Sequence, residues 1–142
     1  MSDLAPLAEA VAVDPLVGQP ADYHVFHQFL DRCKNLPAIT TAVVWPLSGV
    51  ALRGAVEAAE EGLIEPTLIG DAEELKALAK EIGVDIEKYP ILQAETESRA
   101  AELGCIMCRA GNAQAIMKGS LHTDELMRAA MNKDTGLRTN RR

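Results

Sequence analysis

From about residue 41 onward, apolar residues follow two alternating rhythms. Thr41-Ala42-Val43-Val44-Trp45-Pro46 is a β-branched apolar run with little polar alternation, as expected of a strand covered on both faces. After Ser48-Gly49 the spacing becomes helical from Val50 to Glu61, with Ala55, Val56 and Ala59 along one side and Gly62 as the stop. The pair then repeats. Pro66-Thr67-Leu68-Ile69 predicts a second strand. Asp71 as N-cap, with Glu74 three residues on, predicts a capped helix whose buried stripe is Leu75, Leu78, Ala79 and Ile82, closed by Gly83. A third strand is predicted at Tyr89-Pro90-Ile91-Leu92. The helix after it runs from Glu97 to Arg109, with Thr96 as cap and Ala100, Leu103, Ile106, Met107 and Ala110 on its apolar side. The fourth pair is Ala113–Met117 and a helix from Thr123 to Met131. Four successive strand–helix units predict an α/β fold, a mainly parallel sheet between two layers of helices.

Both ends of the chain depart from this rhythm. Residues 1–20 hold Pro6, Pro15 and Pro20 and little periodicity, which predicts a leader or linker with at most a short helix at Leu4–Val11. From Asp22, the residues Val25, Phe26, Phe29, Leu30 and Cys33 recur at helical spacing up to Leu36-Pro37, so the domain is taken as 21–142. Residues 132–142 are polar, basic and unpatterned.

Composition narrows the class. The 142 residues are 48% hydrophobic but only 4% aromatic, so the core is aliphatic and suits close helix packing. The 21 acidic and 14 basic residues leave a formal charge of −7, which argues against nucleic acid as a partner. No apolar run is long enough to span a membrane, and the first residues lack the pattern of a signal peptide. Three cysteines, Cys33, Cys105 and Cys108, cannot all pair within one chain, and a reduced, cytoplasmic protein is expected.

In an open parallel sheet, ligands bind at the carboxyl ends of strands. Two such ends carry chemistry. At Pro46-Leu47-Ser48-Gly49, helix amides and the Ser48 hydroxyl can meet a phosphate, or Ser48 can be a helix cap only. There is no G-x-G-x-x-G and no G-x-x-x-x-G-K-[ST], so the dinucleotide and P-loop fingerprints are absent. The second end, Met117 to Asp124, gathers Lys118, Gly119, Ser120, His122 and Thr123 where a strand becomes a helix. Lys118 brings a point charge and Ser120, Thr123 and the helix amides bring donors for phosphate oxygens; Thr123 equally reads as an N-cap and His122 as a surface residue. Arg128, Arg138, Arg141 and Arg142 follow, a local reversal of the overall charge.

Other constellations carry less. Cys105-Ile106-Met107-Cys108 spells C-x-x-C inside a helix, without the second pair a zinc site needs, so no metal is expected and buried thiols are the favoured reading over a redox pair. His24 and His27 share a helix face with no third ligand. Neither a Ser-His-Asp set nor paired carboxylates can be assigned, and no catalytic residue is named. Trp45 reads as wall or core.

Several stretches resemble the opening of the phosphate acetyl/butyryltransferase family: Thr41–Pro46, Ala51–Ala59, Gly62–Asp71 and, most specifically, Ala115–Arg128 continuing through Lys133–Thr139. The likeness covers roughly residues 29–142 and is nearest the branch often fused behind an enoyl-CoA hydratase-like domain. It implies acyl transfer between acyl phosphate and coenzyme A, with CoA as substrate, inorganic phosphate as product and no bound cofactor. The implied architecture is the first of two α/β domains as in the isocitrate/isopropylmalate dehydrogenases, with the active site between the two and a homodimer as the common assembly. The implied phosphate or CoA contacts are Ser48, Lys118, Gly119, Ser120, His122, Thr123, Arg128, Arg138 and Arg141. The family's base-bearing aspartate, with its serine and arginine, belongs to a second domain, and no residue here carries them, so the chain is expected to be an incomplete portion, inactive alone. A stand-alone CoA- or phosphate-binding or regulatory domain without turnover is the alternative.

Overall fold

A computed structural model of the chain describes residues 20–140. Expectations placed on residues 1–19, and on Arg141, lie outside the described residues. The chain divides into two compact units at the Leu36–Pro37 junction. The first contains helix α1 (Pro20–Cys33), closed by N–H donation from Lys34 to Leu30 O at 3.2 Å and from Leu36 to Cys33 O at 2.9 Å.

The unit beginning at Pro37 alternates strand and helix four times: β1 (Ile39–Val44), α2 (Gly49–Glu60), β2 (Ile64–Gly70), α3 (Ala72–Ile82), β3 (Ile91–Gln93), α4 (Glu97–Arg109), β4 (Ala115–Lys118) and α5 (Thr123–Ala130). The strands form one sheet in the order β3-β2-β1-β4, and every pairing is parallel. Right-handed crossovers dictate the layers. The steps β1 to β2 and β2 to β3 run one way across the sheet and put α2 and α3 on one face. The step β3 to β4 runs back past β2 and β1 and puts α4 on the other.

The period-two geometry of a strand then sorts the core. Val43 and Leu68 pack with Leu52, Ala55, Val56, Leu75 and Ala79 under α2 and α3. Ala42, Val44 and Ile69 pack with Ala100, Ala101 and Leu121 under α4 and α5. Leu52, Leu68, Ile69, Leu75 and Leu121 are fully buried, each contributing roughly 1.5–3 kcal/mol relative to exposure.

Several boundaries differ from the sequence pattern. The first strand ends at Val44, because Trp45 turns to φ 55° and leaves the sheet direction. The second starts at Ile64, which places Pro66 inside a central strand. Pro66 is tolerated there because its nitrogen faces the β3 side, where β3 begins only opposite Leu68, whose N–H reaches Pro90 O at 2.9 Å. The third and fourth strands lie two residues later than expected at their starts.

The largest difference is in α4, whose buried face is Ala100, Ala101, Gly104 and Cys105; of the expected stripe Ala100 is buried and Leu103 and Met107 pack beside it, whereas Ile106 and Ala110 are exposed. A Cβ on Gly104 would stand 2.6 Å from Val44 Cγ2, so the small residues are what let α4 lie close on β1. The tail is also more ordered than its composition suggests. Asn132 Oδ1 accepts from the N–H groups of Asp134 and Thr135 at 2.8 and 3.1 Å, and Leu137 N–H closes onto Ala130 O at 2.8 Å. Gly136 is buried in that return, and its O accepts from Arg109 Nη1 at 3.0 Å.

α3 follows the expected capping. Asp71 Oδ1 accepts from Glu74 N–H at 3.0 Å, and Gly83 ends the helix at φ 72°, where a side chain would be strained. Gln93 ties the end of β3 to the same cap, donating Nε2–H to Asp71 Oδ2 at 3.0 Å and accepting from Ala72 N–H at 2.9 Å. The Glu74 N–H first, and the Gln93 amide second, hold the Asp71 carboxyl below its ordinary value. A carboxyl depressed by folding stabilises the protein above its unfolded pKa of about 3.9 and loses that contribution as pH falls through the folded value. Acid unfolding of Asp71→Asn should accordingly show a shallower loss of stability below about pH 4 than the native chain, from a lower starting stability. Identical acid slopes would remove Asp71 from the account.

Candidate functional site

Strand order reverses at β1, with β2 and β3 on one side and β4 on the other. At a reversal the connecting helices leave on opposite faces, and the loops at the strands' carboxyl ends part to form a crevice. The two loops singled out in the sequence are the two that meet there: Trp45–Ser48 after β1 and Gly119–His122 after β4.

Backbone bonds lock the pair together. Trp45 N–H donates to Ile69 O at 2.8 Å, Gly119 N–H to Val44 O at 2.8 Å, and Ser120 N–H to Trp45 O at 2.9 Å. Ser120 Oγ donates to the same carbonyl at 3.0 Å. A Cβ on Gly119 would fall 2.5 Å from both Trp45 C and Val44 O and closer still to Trp45 O, so only glycine fits this junction. Trp45, at φ 55°, occupies a region that costs a non-glycine residue about 1 kcal/mol or more. Such strain at a loop beside a crevice is where function is usually found.

Each candidate residue now has a place. Ser48 Oγ accepts from Ala51 N–H at 3.2 Å, so it is the cap of α2, and its own O–H remains available to a ligand. Lys118 is exposed, and its Nζ reaches only Gly119 O at 3.3 Å. No carboxylate among the described residues forms an ion pair with it. Ser120 has committed its O–H to Trp45. His122, not Thr123, is the N-cap of α5, and it makes no side-chain cap bond. Both side chains are exposed at the crevice.

The arginines are not gathered there. Arg128 pairs within its own helix, with Glu125 at 2.7 Å and Asp124 at 3.7 Å. Arg138 is exposed two positions beyond Gly136, which is bonded to Arg109 in the last turn of α4, whereas the β4 loop meets the first turn of that helix. The structure thus brings together Ser48, Lys118, Gly119, Ser120, His122 and Thr123 and leaves Arg138 apart from them, while Arg128 is engaged by the two carboxylates of the first turn of α5.

One neighbour was not signalled by the sequence. Glu97, half-buried in the first turn of α4, accepts the His122 N–H on Oε2 at 3.3 Å. The separation of 25 positions along the chain hides this contact from any local pattern.

Chemically, the crevice offers the Lys118 ammonium, the hydroxyl protons of Ser48 and Thr123 and the amino end of a helix: a receptor for an oxyanion. A separate cavity of about 710 Å³ opens at the opposite, amino end of the sheet, where the short β3 leaves β2 uncovered around Pro66. It lacks the convergence of strand ends and helix amides found at the reversal.

The thiols do not join this site. Burial raises Cys105, with Cys108 adding to the effect, and burial alone raises Cys108. A thiol kept above its ordinary pKa is a poor nucleophile at neutral pH. Both should react with iodoacetamide more slowly than the same thiols in the unfolded chain; equal rates would revive a redox role for the pair. Among the described residues no cluster of His, Cys, Asp and Glu is arranged to hold a metal, and no helix is long and apolar enough to cross a membrane.

The chain is similar to proteins of one family. No family model matches the chain. It is 44% identical over 117 residues to the phosphate acetyltransferase of Rickettsia typhi, covering 82% of this chain and 34% of that protein. It is 30% identical over 114 residues to the phosphate butyryltransferase of Clostridium beijerinckii, covering 80% and 38%. The fold matches a Streptococcus pyogenes phosphotransacetylase with a TM-score of 0.64 at 17% identity, over 76% of this chain and 41% of that one. The chain is homologous to the phosphate acetyl/butyryltransferase family, and it spans between 33% and 39% of the length of the curated relatives it matches.

Proposed function

We propose that this chain builds one wall of the active-site cleft of a phosphate acyltransferase, which moves an acetyl or butyryl group between phosphate and the thiol of coenzyme A. The observation that carries the reading is the meeting of the Ser48 and Lys118 loops at the sheet reversal in a chain homologous to such enzymes. In the acylating direction the CoA thiolate attacks the carbonyl carbon of the acyl phosphate. The S–C bond forms, and the bond between the carbonyl carbon and the oxygen that bridges to phosphorus breaks. Phosphate leaves with the electron pair, and the thiol proton passes to a base. Lys118 and the α5 amides neutralise charge gathering on the departing phosphate, an electrostatic role that gains strength as water is excluded.

In this proposal the base stands on a second domain facing the crevice, the two-domain arrangement of the isocitrate/isopropylmalate dehydrogenases, in a cytoplasmic protein that pairs as a homodimer. Acyl transfer from acetyl phosphate and butyryl phosphate to CoA, followed by loss of free thiol, tests it. The chain alone should show no turnover, and a chain continued to the length of its relatives should be active. Turnover by the 142 residues alone would overturn the two-walled reading. Tight CoA binding without turnover by the longer chain would favour a binding domain, a reading helped by the separate core on each face of the sheet.

A further inference from the structure

We propose that the free edge of β4 is the seat of a fifth parallel strand, contributed by residues that follow position 142 in a chain of its relatives' length. The inference concerns how the sheet is completed and does not depend on the chemistry of the crevice.

Among the described residues β4 pairs with β1 alone, through Ala115 to Lys118. Gly119 N–H donates to Val44 O, so by the alternation of a parallel strand Ala115 and Met117 also face β1. The backbone N–H and C=O groups of Ile116 and Lys118 point the other way and meet no partner among the described residues. Free sheet edges are usually blunted by proline, charge or brevity. β3, the opposite edge, has three residues and directly follows Pro90. β4 instead opens with Ala115-Ile116-Met117, an unbroken apolar run of the kind found in a parallel strand with neighbours on both sides.

The path of the chain selects the occupant. α5 lies on the same face of the sheet as α4, since Leu126 and Ala129 pack against the core that holds Ala100 and Ala101. On that face a right-handed crossover carries the chain from β3 toward β4, so the next parallel strand after α5 falls beyond β4. The return after α5 brings the chain back to the amino end of the sheet, where Arg109 in the last turn of α4 holds Gly136 O. A parallel strand has to start at that end. α5 also overhangs the edge. Its Glu125 and Ala129 line a cleft with Ser98 and Glu102 of α4, so the exposed Met127 and Met131, a turn apart on the other flank, face away from α4. An apolar strand beside β4 would be covered by these two side chains. Pairing at Lys118 would also fix the backbone that carries the crevice's ammonium.

Amide hydrogen exchange, followed residue by residue by NMR, tests this in the 142-residue chain and in a chain continued to its relatives' length. In the shorter chain the Ile116 and Lys118 amides should exchange like unstructured ones, while Met117, bonded to β1, is protected. In the longer chain both should slow by about a hundred-fold or more, as amides inside a sheet do. Rapid exchange of the two amides in a folded longer chain would overturn the proposal. So would protection in the 142-residue chain that rises with its concentration, since the occupant is then a second copy. Replacing Met127 and Met131 together by lysine reads the cover. The melting temperature of the shorter chain should hardly change, and that of the longer chain should fall by about 5 °C or more. Equal effects on the two chains would mean that no strand lies under α5, and the proposal fails. Protected Ile116 and Lys118 amides in a longer chain that transfers no acyl group would leave this inference standing and remove the proposed function.

Discussion

Replacing Gly119 by alanine is expected to be the most damaging single substitution at the site, lowering stability by about 3 kcal/mol or more. The added carbon would meet the backbone of Val44 and Trp45 rather than a side chain that could swing aside. It would force apart the two loops whose bonds run from Gly119 N–H to Val44 O and from Ser120 to Trp45 O. For a domain of this size the melting temperature should fall by on the order of 10 °C. Phosphate binding should be lost even below the new transition, because separating the loops moves Lys118 away from Ser48. A thermal melt and a phosphate titration of the same variant check both halves. A variant that melts like the native protein would show that the junction is looser than its bonds imply.

Lys118→Ala should do the reverse, sparing the fold and removing the ligand. The side chain is exposed and its bond to Gly119 O is long, so stability should change by less than about 0.5 kcal/mol. A hydrogen bond between an ammonium and a phosphate oxygen contributes roughly 1.5–3 kcal/mol, which corresponds to a loss of about ten-fold or more in affinity. The loss should shrink as salt is raised, since an exposed charge is screened. Lys118→Arg should keep part of the binding, with the charge retained on a different geometry. Native affinity in a folded Lys118→Ala would take the residue out of the site.

The layering of the fold was legible because its signals are local. Alternating strand and helix periods, together with the caps at Asp71 and Thr96 and the stop at Gly83, all formed where the pattern placed them. What the pattern misjudged depends on contacts across the chain. The buried face of α4 is made of alanine, glycine and cysteine, and a reading that weights large apolar residues turns the helix by the wrong amount. Pro66 looked like a strand start, and only the shortness of the neighbouring β3 allows it to sit in the interior. The ordered return after α5 was hidden in a polar stretch, although Asn132, Asp134 and Gly136 are turn-forming residues whose side chain and backbone bonds produce it.

The site divides along the same line. Ser48 and Lys118 to Thr123 were visible because strand-to-helix junctions carry their own signature, and the strand order then brought the two junctions side by side. Neither the strain at Trp45 nor the reach of Glu97 leaves any trace in sequence spacing. Nearness along the chain suggested a shared basic cluster, whereas helix α5 and the return after it carry Arg138 away from the β4 loop, and Arg128 pairs with Asp124 and Glu125.

The most direct test of the central claim is to titrate the isotope-labelled chain with CoA and with acetyl phosphate while following its backbone amide resonances. The account predicts that the shifted amides concentrate in residues 45–50 and 118–125, on both sides of the sheet reversal, with those around Glu65, Pro66 and Lys88 unmoved. Shifts confined to the amino end of the sheet, around the cavity beside Pro66, would contradict it and place the ligand site at the other end of the domain.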